Sequence, residues 1–291
     1  MTMIKLIASD MDGTLLDAHM SISSQNKEAI QLAEDMGIEF MVATGRNYQE
    51  ARAALDEAAI DCAMITLNGA QVFDKSGKSL FTVPIPHSQV MTVLDILDAN
   101  KIYYEVATNQ GLFSESQAKR IESFASSIAS HLPHLTYKMA IAMASANLEL
   151  LHITYIDSIR DLLKDESLEV LKIICFHMEG AHILGPVGKE ISDLGDLAVT
   201  SSGQNNLEVN HKNAQKGIAV AHVAHERGIS LDEVMAIGDN FNDVSMLQTA
   251  GVSFAMGNAE IEVKDYAKYV TDINLESGVG KAILRAINEN L

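Results

Sequence analysis

Two aspartates, Asp10 and Asp12, close a short apolar run, Ile4-Lys5-Leu6-Ile7-Ala8, and Gly13-Thr14 follow them. Side chains two apart on a strand share a face, so both carboxylates can reach one small volume. Crowded carboxylates repel unless one takes up a proton or a cation joins them. Metal binding, proton transfer or both are the chemistry of such a pair. Further along, Thr44 follows a second apolar run within Ala43-Thr44-Gly45-Arg46. Lys216 lies near the start of a helical pattern, and Asp239 opens the loop Asp239-Asn240-Phe241-Asn242-Asp243. If the strands before these residues are neighbours, several carboxylates, a hydroxyl and an ammonium surround one pocket. Two carboxylates about 5 Å apart repel by roughly 3 kcal/mol at an effective dielectric of 20. Three such pairs would cost much of a domain's net stability of about 5–15 kcal/mol. A hard divalent ion relieves this, and oxygen ligands without neighbouring His or Cys suit Mg2+ better than zinc. The ion would also accept a phosphate oxygen, with Lys216 and Thr44 for the others. That pocket suits phosphoryl transfer, which depends on positioning and charge neutralisation.

The elements that must position these groups alternate between strand and helix. The pattern predicts strands over 4–9, 38–43 and 63–67, with a helix over 24–36 and another through Ala51, Ala54, Leu55 and Ala58 between them. A hairpin follows over 71–83, turning at Lys75-Ser76-Gly77-Lys78. The last third resumes the alternation: helix 213–227, strand 233–237, helix 242–250, strand 252–256, helix 259–266, a short strand near 268–271 and a helix from 277. This order predicts a Rossmann-like α/β core built on a parallel sheet, whose ligands bind outside the carboxyl ends of the strands. The middle is less regular. Pro84 and Pro86 bracket its entrance, a helix is predicted over 87–99, and strand-like runs cover 102–107, 151–155 and 170–177. Further helices are expected near 114–130 and 157–165, while 131–148 carries no readable pattern. Residues 85–199 are expected to be a second α/β module inserted into a core made of 1–84 and 200–291.

At 291 residues and 47% apolar content the chain can bury two cores. A formal net charge of −18 argues against nucleic-acid or anionic-membrane binding. An anionic substrate must then be drawn in by a local metal or lysine. Cys62 and Cys175 lie far apart without metal-type spacing and fit reduced thiols of a cytoplasmic protein. No apolar stretch reaches membrane-span length, and the amino terminus does not read as a signal peptide.

Asp10-Met11-Asp12-Gly13-Thr14, Thr44 in Ala-Thr-Gly-Arg, Lys216 in Gln-Lys-Gly, and Gly238-Asp239-Asn240-Phe241-Asn242-Asp243 occur in that order. Together they resemble the four motifs of the haloacid-dehalogenase-like (HAD) superfamily. The insertion and Leu67-Asn68-Gly69-Ala70 resemble its Cof-type phosphatases with a C2 cap. The resemblance implies a Mg2+-dependent phosphatase of small phosphorylated metabolites. Asp10 would be the nucleophile, forming an aspartyl-phosphate. Asp12 would protonate the leaving oxygen and then deprotonate water. Mg2+ would rest on the Asp10 carboxylate, the Asp12 main-chain carbonyl and Asp239, with Asp243 in support. Thr44 with Gly45, Lys216 and the Met11 amide would hold the phosphoryl group, and Asn242 would contact it or order the acidic loop. Arg46 is open between substrate contact and an ion pair within the acidic core. The insertion would act as a lid. His211-Lys212 before the third motif is locally unusual and could add a positive charge.

Blander roles stand beside these. Asp12-Gly13 is also a hairpin signal, and Asn68-Gly69 reads as a turn rather than a site. A calcium loop at 239–243 fails because Phe241 occupies a position that needs an oxygen ligand. His222 and His225 lack further ligands, and the 14 methionines suit core filling. A phosphomutase or phosphotransferase would use the same aspartyl-phosphate. A phospho-aspartate signalling module would keep it.

Overall fold

The computed structural model describes residues 4–132, 134–146, 152–201 and 205–291. It comprises two compact units, Met1–Val83 with Asn213–Leu291, and Pro84–Lys212.

The first unit opens with β1 (Leu6–Ser9), buried along its length. Helix α1 (Ser24–Asp35) starts where the Ser23 hydroxyl accepts from the Asn26 amide, and it buries Ala29, Ile30 and Ala33. Strand β2 (Glu39–Ala43) leads to α2 (Tyr48–Glu57), begun by a reciprocal Asn47–Glu50 capping box. Strand β3 (Ala63–Thr66) ends in the 3-10 turn Leu67–Gly69, and the hairpin β4 (Gln71–Phe73) and β5 (Ser79–Thr82) follows.

The second unit runs through α3 (His87–Ala99), β6 (Tyr103–Thr108), β7 (Gly111–Ser114), α4 (Gln117–His131) and α5 (Tyr137–Ala146). It continues with β8 (Ile153–Tyr155), α6 (Ile159–Leu162), β9 (Val170–Phe176), α7 (Ala181–Ser192), β10 (Leu197–Thr200) and β11 (Asn206–His211). Its sheet order is β10-β11-β9-β6-β7-β8. One face packs Val90, Leu94 and Leu97 of α3 and Leu184 and Ile191 of α7 against Val106 and Ile173. The unit reaches Lys212 rather than ending at 199, because β10 and β11 pair antiparallel and β11 pairs with β9. Residue 151 of the strand expected over 151–155 lies outside the described residues.

The chain then returns to the first unit through α8 (Lys216–Glu226), β12 (Val234–Gly238), α9 (Val244–Thr249), β13 (Val252–Ala255), α10 (Ile261–Lys264), β14 (Tyr269–Val270) and α11 (Gly278–Glu289). The sheet order is β14-β13-β12-β1-β2-β3-β4-β5. It is parallel from β14 to β3, with the β4–β5 hairpin antiparallel at one edge. Both faces are covered. Ile7, Phe40 and Val42 pack with α1 and α11, while Leu6, Ala8, Met41 and Ala236 pack with α8 and α9. Burial on both faces is why these strands read as continuous apolar runs. From β1 the chain extends toward β2 and later toward β12. This reversal of order opens a crevice at the carboxyl end of β1. Among the described residues no helix is long and apolar enough to cross a membrane.

Candidate active site

Three parallel strands deliver the acidic and hydroxyl groups to one edge. Ser9 registers with Val42 of β2 and Ile237 of β12, and the Asp10 amide donates to the Ile237 carbonyl at 2.9 Å. Asp10 therefore leaves β1 between Thr44, two residues past Val42, and Asp239, two past Ile237. Gly13, at φ +77, turns the chain back over Asp239, and a Cβ there would run into the Asp239 carboxylate. The Thr14 hydroxyl donates to Asp239 Oδ1 at 2.8 Å, and Asn258 Nδ2 holds the Gly13 carbonyl at 2.8 Å.

Lys216 is the cation at the centre. It opens α8 and is completely buried. A lysine there faces the positive end of its own helix dipole, so it needs acidic partners. Its Nζ donates to Asp10 Oδ1 at 2.6 Å and to Asp243 Oδ1 at 2.5 Å. Burial lowers the Lys216 pKa, but Asp10 and Asp243 outweigh it and the net displacement is upward, so the ammonium stays charged. The other Asp243 oxygen accepts from the Asp239 and Asn240 amides at 2.9 and 3.0 Å. Asp243 thus orders the acidic loop from behind while holding Lys216.

Ligand oxygens of Asp10, Asp239 and Asp243 lie within 4.8 Å of one another. Burial, then Asp243, raises Asp10 well above the ordinary carboxylate range. The same two causes push Asp239 up to about 6. Three carboxylates against one ammonium leave an excess of negative charge, and their donors are all hard oxygens. This chemistry fits a divalent cation of the Mg2+ type.

Asp12 is turned elsewhere. Its carboxylate accepts a two-pronged contact from Arg46, from Nε at 2.8 Å and from Nη2 at 2.6 Å. Arg46 thus forms an ion pair with Asp12, outside the buried acidic cluster. Asn68, buried in a left-handed backbone at φ +61, donates its amide to the Thr44 carbonyl at 3.0 Å, and its Oδ1 accepts from Asn242 Nδ2 at 3.2 Å.

A sequence model of the haloacid dehalogenase-like hydrolase family matches residues 7–283. The chain belongs to the haloacid dehalogenase-like hydrolases. It is 31% identical to phosphatase YwpJ of Bacillus subtilis over 95% of this chain and 97% of that one. It is 30% identical to YcsE, the 5-amino-6-(5-phospho-D-ribitylamino)uracil phosphatase of the same organism, over 96% of this chain and 94% of that one. The solved structure of a haloacid dehalogenase-like hydrolase from B. subtilis matches with a TM-score of 0.87 at 30% identity, covering 97% of this chain and 99% of that chain. The chain is a phosphoric monoester hydrolase of this family.

This haloacid dehalogenase-like hydrolase brings Asp10, Lys216, Asp239 and Asp243 together by direct contact. Thr44 stands at the same sheet edge, buried, with its hydroxyl accepting from the Arg46 amide at 3.2 Å. Gly45 lies between Thr44 and Arg46, and the Met11 side chain is buried in the core beside β1. The Asp12 carboxylate is not part of the acidic cluster. Lys212 pairs with Asp196 inside the second unit. Sequence reasoning passed over Thr14 and Asn258; Asn68 lies in the turn expected of Asn68-Gly69, and its side chain also accepts from Asn242. Thr14, directly after Asp-Gly, was the one of these with a local signal.

Proposed function

We propose that the chain is a Mg2+-dependent phosphatase of small phosphorylated metabolites that works through an aspartyl-phosphate on Asp10. The observation that carries this is the buried Lys216 ammonium bridging Asp10 and Asp243, with Asp239 beside them, at the carboxyl end of the central strand. An Asp10 carboxylate oxygen attacks phosphorus while the bond from phosphorus to the leaving oxygen breaks, and Asp12 gives its proton to that oxygen. Water then attacks the phosphorus of the aspartyl-phosphate, Asp12 takes a proton from it, and orthophosphate leaves as the Asp10 carboxylate re-forms. Lys216, Thr44, Gly45 and the Met11 amide hold phosphoryl oxygens. Asn242, steadied by Asn68, orders the acidic loop at its side. Asp10, Asp239 and the Asp12 main-chain carbonyl would hold the ion, with Asp243 supporting through water. When bound, the ion neutralises charge on the transferring group.

The second unit serves as the cap that chooses the leaving group. The substrate of YcsE carries its phosphate on a ribityl chain, so phosphomonoesters of polyhydroxylated chains belong first in a substrate panel. Both cysteines are buried thiols, which supports a reducing, cytoplasmic setting. The test is phosphate release from p-nitrophenyl phosphate. It should require Mg2+, stop with EDTA, and be abolished in Asp10→Asn. Full activity in that variant overturns the mechanism. Isomerised sugar phosphate without free phosphate would instead identify a mutase.

A further inference from the structure

We propose that Arg46 is a positioning residue for Asp12, holding its carboxylate where it serves the leaving oxygen rather than gripping the phosphoryl group. This rests on the phosphatase function proposed above. The Asp12 side chain is 51% exposed while that of Arg46 is 18% exposed. Packing constrains a half-exposed aspartate less than a buried one, and the two-pronged fork from Arg46 fixes its carboxylate. Arg46 is itself well anchored. Its amide donates to the Thr44 hydroxyl at 3.2 Å, its carbonyl accepts from the Leu67 amide at 2.9 Å, and Nη2 leans on the Met20 sulfur at 4.0 Å.

The donor inventory shows which edge of the guanidinium serves Asp12. The fork consumes Nε–H and one Nη2–H, and the remaining Nη2 proton points toward Met20, so the Nε–Nη2 edge of the guanidinium is committed to Asp12 and Met20 and only the two Nη1 protons lie outside these contacts. Each Asp12 oxygen accepts one hydrogen bond from the fork and keeps a second lone pair for the proton it must pass. The two cations thus divide the acids, with Lys216 on Asp10 and Asp243 and Arg46 on Asp12.

Leaving-group dependence reads this directly. p-Nitrophenolate departs with little help from an acid, whereas an alkoxide needs the proton. The measured quantity is kcat/KM for an alkyl phosphate divided by that for p-nitrophenyl phosphate, a ratio independent of the folded fraction of any variant. General acid catalysis contributes about 10²–10⁴-fold, so Asp12→Asn should lower the ratio on that order. Arg46→Gln should lower it by about tenfold or more, part of the same contribution, and the double variant should fall no lower than Asp12→Asn alone. An unchanged ratio in Arg46→Gln beside a lowered one in Asp12→Asn overturns the positioning role and leaves the phosphatase function standing. An unchanged ratio in Asp12→Asn removes the role of Asp12 and the proposal with it.

Discussion

The acidic cluster should set how this protein answers to pH and to a divalent ion. Burial with Asp243 raises Asp10 well above the ordinary range and Asp239 to about 6, from 3.8. Between the ordinary and raised values the folded chain holds protons that the unfolded chain has released. Ion-free stability from this pair is therefore greatest at low pH and falls as pH climbs above 3.8, the Asp239 part being lost through about 6. A divalent ion must displace those protons, so its binding tightens over the same interval. The gain in Tm from excess Mg2+ over EDTA should be larger at about pH 7.5 than at about pH 5. Equal gains at both would show that these carboxylates do not hold the ion. Asp10, Lys216, Asp239 and Asp243 were legible in the sequence because each sits in a short motif at a strand or helix end. For Arg46 the options there were substrate contact or an ion pair within the acidic core, and the Arg46–Asp12 fork was not named. Its partners lie 34 positions apart, and spacing alone does not say whether a guanidinium meets a carboxylate or a substrate.

Lys216 reaches its partners because α8 approaches α9 closely at Gly217. The Gly217 amide donates to Ser245 Oγ at 3.0 Å, and a Cβ on Gly217 would collide with the Ser245 carbonyl and lie 2.8 Å from the Met246 nitrogen. In an open helix, Gly→Ala gains about 1 kcal/mol. Here backbone atoms block the methyl and cannot yield as a side-chain tip would, so overpacking of about 1–3 kcal/mol should reverse the sign. Gly217→Ala should lower stability to urea. It should also cut kcat more than tenfold by moving Lys216, since a misplacement of about 1 Å can cost 10²-fold. A stabilised, fully active variant would mean that α8 has slack at this point. The parallel-sheet alternation was readable because its strands are apolar runs with helical periods between. Helix α7 was not, since Gly185, Pro186 and Gly188 interrupt it as breakers would. Its buried Leu184, Val187 and Ile191 decide for helix, and Gly188 is small because Leu207 of β11 lies 2.9 Å from where its Cβ would be.

The residues proposed to carry the chemistry fall in one unit of the chain. Asp10, Asp12, Thr44, Arg46, Lys216, Asn242 and the acidic loop all belong to the first unit, and the second has a hydrophobic core of its own. The breaks in the first unit also come near each other. The Val83 amide donates to the Ala70 carbonyl at 2.8 Å, and the adjacent Gly69 sits so close to Gln215 that its Cβ would be 2.6 Å from that carbonyl. A short glycine-serine link from Val83 to Asn213 should therefore replace Pro84–Lys212 without pulling α8 away from the sheet. That shortened protein should fold, keep its Mg2+-dependent rise in Tm and still release phosphate from p-nitrophenyl phosphate, although more slowly. Its preferences among sugar, polyol and nucleotide phosphates should flatten if the second unit chooses the leaving group as proposed, since the residues proposed for the phosphoryl pocket all remain. If the substrate ranking survives intact in the folded, shortened chain, selection resides in the first unit and the second is not a cap for this chemistry.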